Sequence, residues 1–517
     1  MRQLALFAFV LLVLFNSAKL SAAEEPAKPA DKSSPTPDTE KDKAKAVEAK
    51  EKAIESKHTV TIGGKEIHYT ARTGAILLRD NEEKPTAAIF YIAYLKDGVD
   101  DAAKRPLTFS FNGGPGAASI WLHMGLLGPR RALLADDGGA LPPPYKLVDN
   151  EYSLLDETDL VFIDPVSTGF SRALKPDDAK KFHGVEADLE SVGEFIRLFI
   201  TRNNRWASPK FVIGESYGTT RAAGLSGELR EHQHINVNGI MLVSTVLNFE
   251  TISFARGNDL PYVLYLPSYT ATAWYHKKLG AELQQLALPE VVARAETFAT
   301  GDYAYALLKG ASLPAPQRAS ALKEYARLTG LSEAFVERAD LRVPLSRFAE
   351  ELLRDEHQVI GRYDGRYKGY VRDHLANNQE YDPSYDAVAG AFASAFNQYV
   401  RSELKYESDL PYEILTNVQP WNWGGQNSFL NVAETLAESM TRNPFLKVHV
   451  SNGYYDMATP RMATHYTFDH LQIDPALLKN VTQDDYTSGH MIYLNLADLK
   501  KQKADLARFI HSAVSAN

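Results

Sequence analysis

Apolar and polar residues alternate in the first patterned stretch of the chain, as is typical of strands with one buried face. Residues 58–62 and 66–70 alternate in this way, and the pair Gly63-Gly64 stands between them. This arrangement predicts a β-hairpin. Two further runs, 74–79 and 87–95, predict additional strands. Together these segments predict an antiparallel start to a sheet.

Farther along the chain, short continuous apolar runs replace the alternation. These runs are residues 107–111, 160–163, 211–213 and 240–243, and helical patterns, such as 219–229, separate them. Buried strands that alternate with helices predict a parallel sheet. The strand pattern returns at 446–450 and 481–482, and 496–513 predicts a final helix.

Helical patterns dominate between residues 250 and 409. The candidate helices are 289–299, 315–328, 332–340, 344–355 and 385–404, and their apolar residues at helical spacing include Val292, Phe298, Leu322, Tyr325, Phe335 and Phe348. Such spacing predicts packing rather than chemistry. We expect an α/β domain made of 58–249 and 410–517, with 250–409 as a helical cap insertion. A long insertion in a surface loop costs little additional closure entropy.

The N-terminal segment predicts export. Arg2 precedes an apolar run at 4–15 that is too short to span a bilayer comfortably, and small residues at 21–23 suit cleavage after Ala23. Residues 1–23 therefore predict a secretory signal peptide. Residues 24–57 are rich in Lys, Glu, Ala and Pro and predict a disordered or partly helical tether. We expect a periplasmic or secreted protein that leaves the membrane once the signal is cleaved.

Composition narrows the class of protein further. The 517 residues include 44% hydrophobic residues and no cysteine, and the formal net charge is -9. The negative charge and the lack of a basic stripe argue against a nucleic-acid binder. An exported chain without cysteine cannot use disulfides, so its stability must come from a large core. The combination suits a bacterial exported enzyme.

Residues 214–218 (Gly-Glu-Ser-Tyr-Gly) form the central motif. They lie between the apolar run 211–213 and the predicted helix at 219–229. Strand, Gly-x-Ser-x-Gly and helix are the context of a nucleophile elbow, which lifts a serine above the sheet. The pattern therefore makes Ser216 a candidate nucleophile. A glycine-rich turn between a strand and a helix, without catalysis, is the alternative.

A serine nucleophile needs a base and a residue that orients the base, and on this fold they follow in the order Asp or Glu, then His. Asp456 lies just after the strand run 446–450, and His490 lies in a later loop. In this scheme Ser216 attacks a carbonyl, neutral His490 accepts its proton, and Asp456 holds the imidazole tautomer. Since the chain has 14 histidines, the spacing alone does not single out His490.

An oxyanion hole needs two backbone N–H donors, one of which is the residue after the nucleophile, Tyr217. The other comes from a glycine-rich loop after an earlier strand, and residues 112–116 (Asn-Gly-Gly-Pro-Gly) lie at such a place. A phosphate-binding loop is not expected there, because no Gly-Lys-Ser/Thr follows.

Four motifs in order resemble the serine carboxypeptidase family. They are residues 112–116, 164–171 (Asp-Pro-Val-Ser-Thr-Gly-Phe-Ser), 214–218 and 489–491 (Gly-His-Met). The resemblance covers nearly all of the chain after the tether. It implies an α/β-hydrolase fold and the removal of C-terminal amino acids from peptides with a free carboxylate.

The resemblance also implies roles for individual residues. Ser216, Asp456 and His490 are the expected triad, and Gly114 and Tyr217 are the expected oxyanion donors. Asn112, Gly113 and Glu215 are expected to bind the terminal carboxylate of the substrate.

The sequence departs from the family pattern at two places. Ala117 and Ala118 stand where relatives commonly have Cys-Ser, and Leu126 stands where they commonly have a Glu that helps bind the carboxylate. The second departure weakens the exopeptidase prediction more than the hydrolase prediction. An esterase or acyltransferase on the same scaffold is one alternative, since other nucleophiles can intercept an acyl-enzyme. A catalytically inactive binding module is another, although no triad member is missing.

No cofactor or metal ion is expected. Asp382 and Asp386, beside Tyr381 and Tyr385, could suggest a cation site, but an exposed loop with a helix N-cap explains them better.

Overall fold

A computed structural model describes residues 51, 53–373 and 379–514 of the chain. Its strands, in chain order, are β1 (Ile54–Ile62), β2 (Lys65–Arg79), β3 (Pro85–Lys96), β4 (Leu107–Phe111), β5 (Arg130–Ala132), β6 (Leu147–Asp149), β7 (Asp159–Ile163), β8 (Arg172–Ala173), β9 (Lys210–Ser216), β10 (Gly239–Thr245), β11 (Gln358–Ile360), β12 (Lys368–Tyr370), β13 (Lys447–Gly453) and β14 (Val481–Tyr486). The predicted signal peptide at 1–23, and the predicted tether up to residue 50, lie outside the described residues.

One large sheet forms the centre of the molecule. Its strand order is β1-β2-β3-β7-β4-β9-β10-β13-β14, with β8 paired to β3. The pairs from β1 to β7 are antiparallel, whereas every pair from β7 to β14 is parallel. This order confirms the expected antiparallel start followed by a parallel sheet.

The predicted hairpin is present, with Gly63 and Gly64 both at positive φ, as a tight turn between twisted strands requires. Two details differ from the prediction. Strand β1 begins at Ile54, inside the predicted tether, because its pairing with β2 uses backbone groups and needs few apolar side chains. The predicted strand at 74–79 is the second half of β2, which continues through Gly74 opposite Tyr91.

The helices, in chain order, are α1 (Ile120–Leu122), α2 (Val185–Arg202), α3 (Tyr217–Glu231), α4 (Leu260–Tyr275), α5 (Ala281–Gln284), α6 (Leu288–Phe298), α7 (Ala304–Lys309), α8 (Ala315–Thr329), α9 (Glu333–Arg338), α10 (Leu345–Glu351), α11 (Pro383–Ser402), α12 (Ala433–Arg442), α13 (Arg461–Asp469), α14 (Pro475–Leu478) and α15 (Leu496–Val514). In the described part of the chain, none of them is long and apolar enough to span a membrane.

Helices cover both faces of the sheet. On one face, α2, α3 and α12 pack their apolar residues against β4, β9 and β10. On the other face, α11 and α15 bury residues such as Phe392, Phe396 and Phe509. A mostly parallel sheet between two helical layers is the α/β architecture predicted from the sequence. It places the carboxyl ends of β4, β9 and β13 along one edge of the sheet.

The inserted region 250–409 is largely helical, as predicted, and much of it has a core of its own. Residues of α4 to α10, including Tyr269, Tyr303, Tyr325 and Phe348, form this separate apolar cluster. Helix α11 instead packs on the sheet. The helical pattern did not reveal α4, which contains Pro267, since proline normally breaks a helix interior. It also did not reveal the short hairpin β11–β12.

Candidate active site

Ser216 lies at a sharp turn where β9 ends and α3 begins. Its backbone has φ 60° and ψ -130°, a conformation that costs a non-glycine residue about 1–3 kcal/mol and is concentrated at functional sites. The two glycines of the motif allow the turn because there is no room for a side chain. A Cβ on Gly214 would lie 2.0 Å from the carbonyl oxygen of Gly218, and a Cβ on Gly218 would lie 2.9 Å from that of Phe111. The local geometry is that of a nucleophile elbow.

His490 and Asp456 are hydrogen-bonded to each other. The distance from His490 Nδ1 to Asp456 Oδ2 is 2.9 Å, and both side chains are buried. Asp456 also accepts hydrogen bonds from the backbone of Ala458 and from the backbone and hydroxyl of Thr459, at 2.8 to 2.9 Å. These bonds fix the carboxylate so that it can hold the imidazole in one tautomer.

The protonation of His490 reflects this pairing. Burial disfavours the imidazolium, but the charge and hydrogen bond of Asp456, together with the charge of Glu215, outweigh burial and raise the pKa of His490 above its ordinary value. The other ring nitrogen, Nε2, is buried and has no hydrogen-bond partner among the described residues. Ser216 and His490 line the same cavity.

Three residues that the sequence did not indicate hold the loop of His490. The backbone N–H of His490 donates to the carbonyl of Tyr363 at 2.6 Å, and its carbonyl accepts from the Ser244 hydroxyl at 2.5 Å. Gly489 N–H donates to the Asp364 carboxylate at 3.0 Å. Because Tyr363 and Asp364 come from the inserted region, that region supports the base directly.

The glycine-rich loop at 112–116 lies against the elbow. A Cβ on Gly113 would be 2.5 Å from the backbone nitrogen of Tyr217, and Gly114 has φ 98°. Only glycine permits both the close approach and the left-handed backbone. The loop that carries Gly114 is therefore adjacent to the N–H of Tyr217, at the N-terminus of α3. Two backbone donors close to Ser216 are what an oxyanion hole requires.

Glu215 is a buried residue that lines the same cavity. Its Oε1 accepts a hydrogen bond from Asn112 Nδ2 at 3.0 Å, and its Oε2 is buried without a hydrogen-bond partner in the described structure. Burial raises the pKa of Glu215 to about 7, although the charge of His490 and the interactions with Tyr493 and Asn112 act in the opposite direction. Asn112 is fixed in turn, since its Oδ1 accepts from the backbone N–H of Leu122 at 3.0 Å.

A buried ion pair lies beneath the elbow. Arg221 of α3 donates to Asp188 of α2 at 2.8 Å and to the backbone carbonyl of Asn112 at 2.6 Å. Its guanidinium also lies 5.4 Å from the centre of the Tyr217 ring. Arg221 therefore connects the glycine-rich loop to the first turn of the elbow helix. The sequence motifs did not indicate this role.

The cavity above Ser216 has a volume of about 70 Å³. It is small enough that a bound end group must touch its walls. The lining residues are Asn112, Gly113, Gly114, Ala117, Trp121, Glu215, Ser216, Arg362, Tyr363, Tyr385, Leu415, His490 and Met491. Leu126 is not among them, because it is fully buried in the apolar core beside α11. All the residues proposed from the sequence except Asp456 and Tyr217 line this cavity. Asp456 lies behind His490, and Tyr217 lies just beyond Ser216.

The acidic residues at 382–386 have a structural role. Asp382 caps α11 by accepting a hydrogen bond from the backbone N–H of Ser384, which confirms the predicted N-cap. Within the described ranges, no group of three or more His, Asp or Glu side chains is arranged to hold a metal ion.

Comparison with known proteins assigns the class. The sequence model of the serine carboxypeptidase family, Peptidase S10, matches residues 72–492. The chain therefore belongs to the serine carboxypeptidase family, and its mostly parallel sheet with flanking helices is an α/β-hydrolase fold, as the sequence motifs implied.

Individual relatives are distant. Serine carboxypeptidase-like 35 of Arabidopsis thaliana is 28% identical over 178 residues, which are 33% of this chain and 35% of the relative. Serine carboxypeptidase-like 29 of the same plant is 29% identical over 164 residues, 30% and 32% of the two chains. These alignments span about a third of each curated relative.

Among solved structures, Kex1(Δ)p, described as a prohormone-processing carboxypeptidase from Saccharomyces cerevisiae, has a similar fold. The TM-score is 0.54 at 15% identity, and the match covers 86% of this chain and 92% of that chain.

Proposed function

We propose that this protein is an exported serine carboxypeptidase that releases C-terminal amino acids through an acyl-enzyme. The main support is the His490–Asp456 hydrogen bond of 2.9 Å beside the strained elbow of Ser216. Membership of the family makes a peptide the expected substrate. Export rests on the signal-peptide pattern at 1–23 alone.

In the proposed reaction, Ser216 Oγ attacks the carbonyl carbon of the last peptide bond while His490 Nε2 accepts the hydroxyl proton. The N–H groups of Gly114 and Tyr217 donate to the developing oxyanion. His490 then gives the proton to the leaving nitrogen, the C–N bond breaks, and the last amino acid departs. Water, deprotonated by His490, attacks the acyl-enzyme ester, and the proton returns to Ser216 as the shortened peptide leaves.

Asn112, Gly113 and Glu215 are proposed to bind the terminal carboxylate. Asn112 and Glu215 line the cavity and are hydrogen-bonded to each other. Glu215 can donate to a carboxylate only when it carries a proton, and its pKa of about 7 makes that state accessible.

We also propose that residues 250–409 act as a cap that shapes the substrate pocket. Arg362, Tyr363 and Tyr385 come from this region and line the cavity beside Ser216. Most of the helices in the region share one apolar core, which also includes Tyr455 and Met457 on either side of Asp456, so the region packs directly against the catalytic loop.

The test is digestion of a peptide with a free C-terminal carboxylate by the purified protein, with the products followed over time by mass spectrometry. We expect residues to leave one at a time from the C-terminus.

Ser216→Ala should lower turnover by on the order of 10⁶-fold, His490→Ala by a similar factor and Asp456→Ala by less. A fluorophosphonate should label the wild type and not Ser216→Ala. Internal cleavage, or hydrolysis of esters alone, would refute the exopeptidase assignment, and a folded Ser216→Ala variant with normal activity would refute the nucleophile.

A further inference from the structure

Arg362 is a cation inside the cavity of Ser216 that the sequence motifs did not indicate. Of the described residues that line this cavity, Arg362 is the one with a permanent positive charge. Many protein atoms surround it, yet its side chain stays accessible to solvent, as a residue facing into a cavity should. None of the ion pairs found within the described residues involves its guanidinium. A positive charge that lines the cavity and has no ion-pair partner among the described residues is available for a ligand.

The position of Arg362 is fixed relative to the catalytic loop. Its backbone N–H donates to the Asp382 carboxylate at 3.1 Å, and the carbonyl of the next residue, Tyr363, accepts the 2.6 Å hydrogen bond from His490. The guanidinium lies 5.3 Å from the centre of the Tyr363 ring, and that ring lies 5.1 Å from the imidazole. The charge of Arg362 is close enough to lower the pKa of His490.

The chemistry of the proposed reaction restricts where a terminal carboxylate can bind. His490 gives its proton to the nitrogen of the last residue, and the carboxylate carbon of that same residue lies only about 2.5 Å from this nitrogen, two bonds away. The groups that bind the carboxylate must therefore lie beside His490. Arg362 and Glu215 meet this condition, whereas Leu126 offers no polar group.

We propose that Arg362, which lines the same cavity as Asn112 and Glu215, binds the C-terminal carboxylate of the substrate and supplies the hydrogen-bond donor that Leu126 cannot provide. This inference rests on the proposed carboxypeptidase function. An arginine suits the task because its planar fork can donate two parallel hydrogen bonds to one carboxylate. Such charge-assisted bonds are stronger than neutral ones.

The test compares matched peptides in wild type and variants. One pair ends in alanine with either a free carboxylate or an amide, and a second pair ends in aspartate or asparagine, both with a free carboxylate. Arg362→Ala should lower kcat/KM for the free-carboxylate alanine peptide by about 10- to 100-fold, mainly through KM. The amide should change by less than about threefold. The kcat/KM of Arg362→Lys for the free-carboxylate peptide should lie between those of the wild type and Arg362→Ala, since lysine keeps the positive charge but lacks the planar guanidinium.

Arg294→Ala is the matched control, because Arg294 is another exposed arginine of the inserted region that lines a different groove. It should leave both alanine peptides unchanged. Binding of the same two peptides to Ser216→Ala, with and without Arg362→Ala, gives a readout that does not depend on turnover. Adding Arg362→Ala to Ser216→Ala should lower the affinity for the free-carboxylate peptide and leave the affinity for the amide unchanged.

The outcomes separate the proposals. If the wild type does not release the last residue of the free-carboxylate peptide, the carboxypeptidase function fails. If it does, but Arg362→Ala keeps the preference of the wild type for carboxylate over amide, the role of Arg362 fails. If Arg362→Ala lowers kcat/KM equally for both alanine peptides, Arg362 does not bind the carboxylate and only helps to position Tyr363. A loss confined to the aspartate peptide would show that Arg362 reads an acidic side chain instead.

Discussion

Glu215→Gln is the substitution that most directly tests how the cavity accepts a charged substrate. An ionised Glu215 would repel the carboxylate of a peptide, whereas a protonated Glu215 can donate a hydrogen bond to it. Burial raises the pKa of Glu215 to about 7. A bound carboxylate would favour the protonated form further, because like charges at short distance disfavour ionisation. Peptides with a free C-terminus should therefore be cleaved best at mildly acidic pH.

The magnitude follows from that pKa. With a value of about 7, roughly nine-tenths of Glu215 is protonated at pH 6 and about one-tenth at pH 8. The ratio of kcat/KM for a free-carboxylate peptide to that for its amide should then fall about tenfold between these two pH values. The amide carries no charge at this position, so its kcat/KM should rise over the same range as His490 becomes neutral.

Glu215 also affects the acidic side of the profile. Its negative charge helps to raise the pKa of His490, which must be neutral to act as a base. Glutamine removes that charge and keeps an N–H donor at every pH. In Glu215→Gln the alkaline fall for the free-carboxylate peptide should flatten, and the acidic limb for both substrates should move to lower pH.

The assay is kcat/KM from pH 5 to 9 for the peptide and its amide in wild type, in Glu215→Gln and in Glu350→Gln. Glu350 is the matched control, because it is a buried glutamate with a pKa raised by burial that lies in the inserted region and does not line the cavity. Its substitution should move neither profile. Identical profiles for peptide and amide in the wild type, or an unmoved profile in Glu215→Gln, would refute Glu215 as the carboxylate-binding group.

Two further outcomes are expected. Arg221→Met removes the ion-pair partner of the buried Asp188, so the free energy of unfolding measured with denaturant should fall by about 3–5 kcal/mol, and Arg221→Met/Asp188→Asn should recover part of that loss. The kcat of Arg221→Met should also fall, because the Asn112 carbonyl loses its hydrogen-bond donor. A variant of unchanged stability would contradict this role of Arg221. Exchange of residues 250–409, which contribute Arg362, Tyr363 and Tyr385 to the cavity, with those of another family member should change peptide preference but preserve hydrolysis of a small activated ester. An exchanged, folded protein with the parental preference would rule out this region as a specificity element.

Sequence reasoning worked best where geometry leaves little choice of residue. The elbow requires glycine at 214 and 218 because a Cβ there would overlap backbone atoms, and such positions can be recognised in a single sequence. The same holds for Gly113 and Gly114 in the loop beside the elbow. Buried parallel strands can also be predicted from the sequence, since their apolar runs alternate with helical patterns.

The residues that sequence reasoning missed act through contacts between distant parts of the chain. Ser244, Tyr363 and Arg362 carry no local motif, and their roles arise only because the fold brings them to His490. Arg221 belongs to the same class, although it lies only five positions after Ser216. A polar residue in a helix is ordinarily exposed, and nothing local indicates that Asp188 of another helix buries and pairs with it.

A substrate with a negative carboxylate adds charge to a cavity that is already acidic. We infer that a proton on Glu215 and the positive charge of Arg362 together allow the cavity to bind it. Asp456 is compensated by His490 whenever the imidazole carries a proton, and the catalytic resting state needs that imidazole neutral. A substrate carboxylate then adds a second negative charge next to Asp456, and an ionised Glu215 would add a third. A proton on Glu215 removes one of these charges and Arg362 balances another. The negative charge that remains is that of Asp456, which hydrogen bonds from Ala458 and Thr459 stabilise. Arg362 opposes the rise in the pKa of His490 that Asp456 and Glu215 cause, so the same charge that would hold the substrate also favours the neutral form of the base.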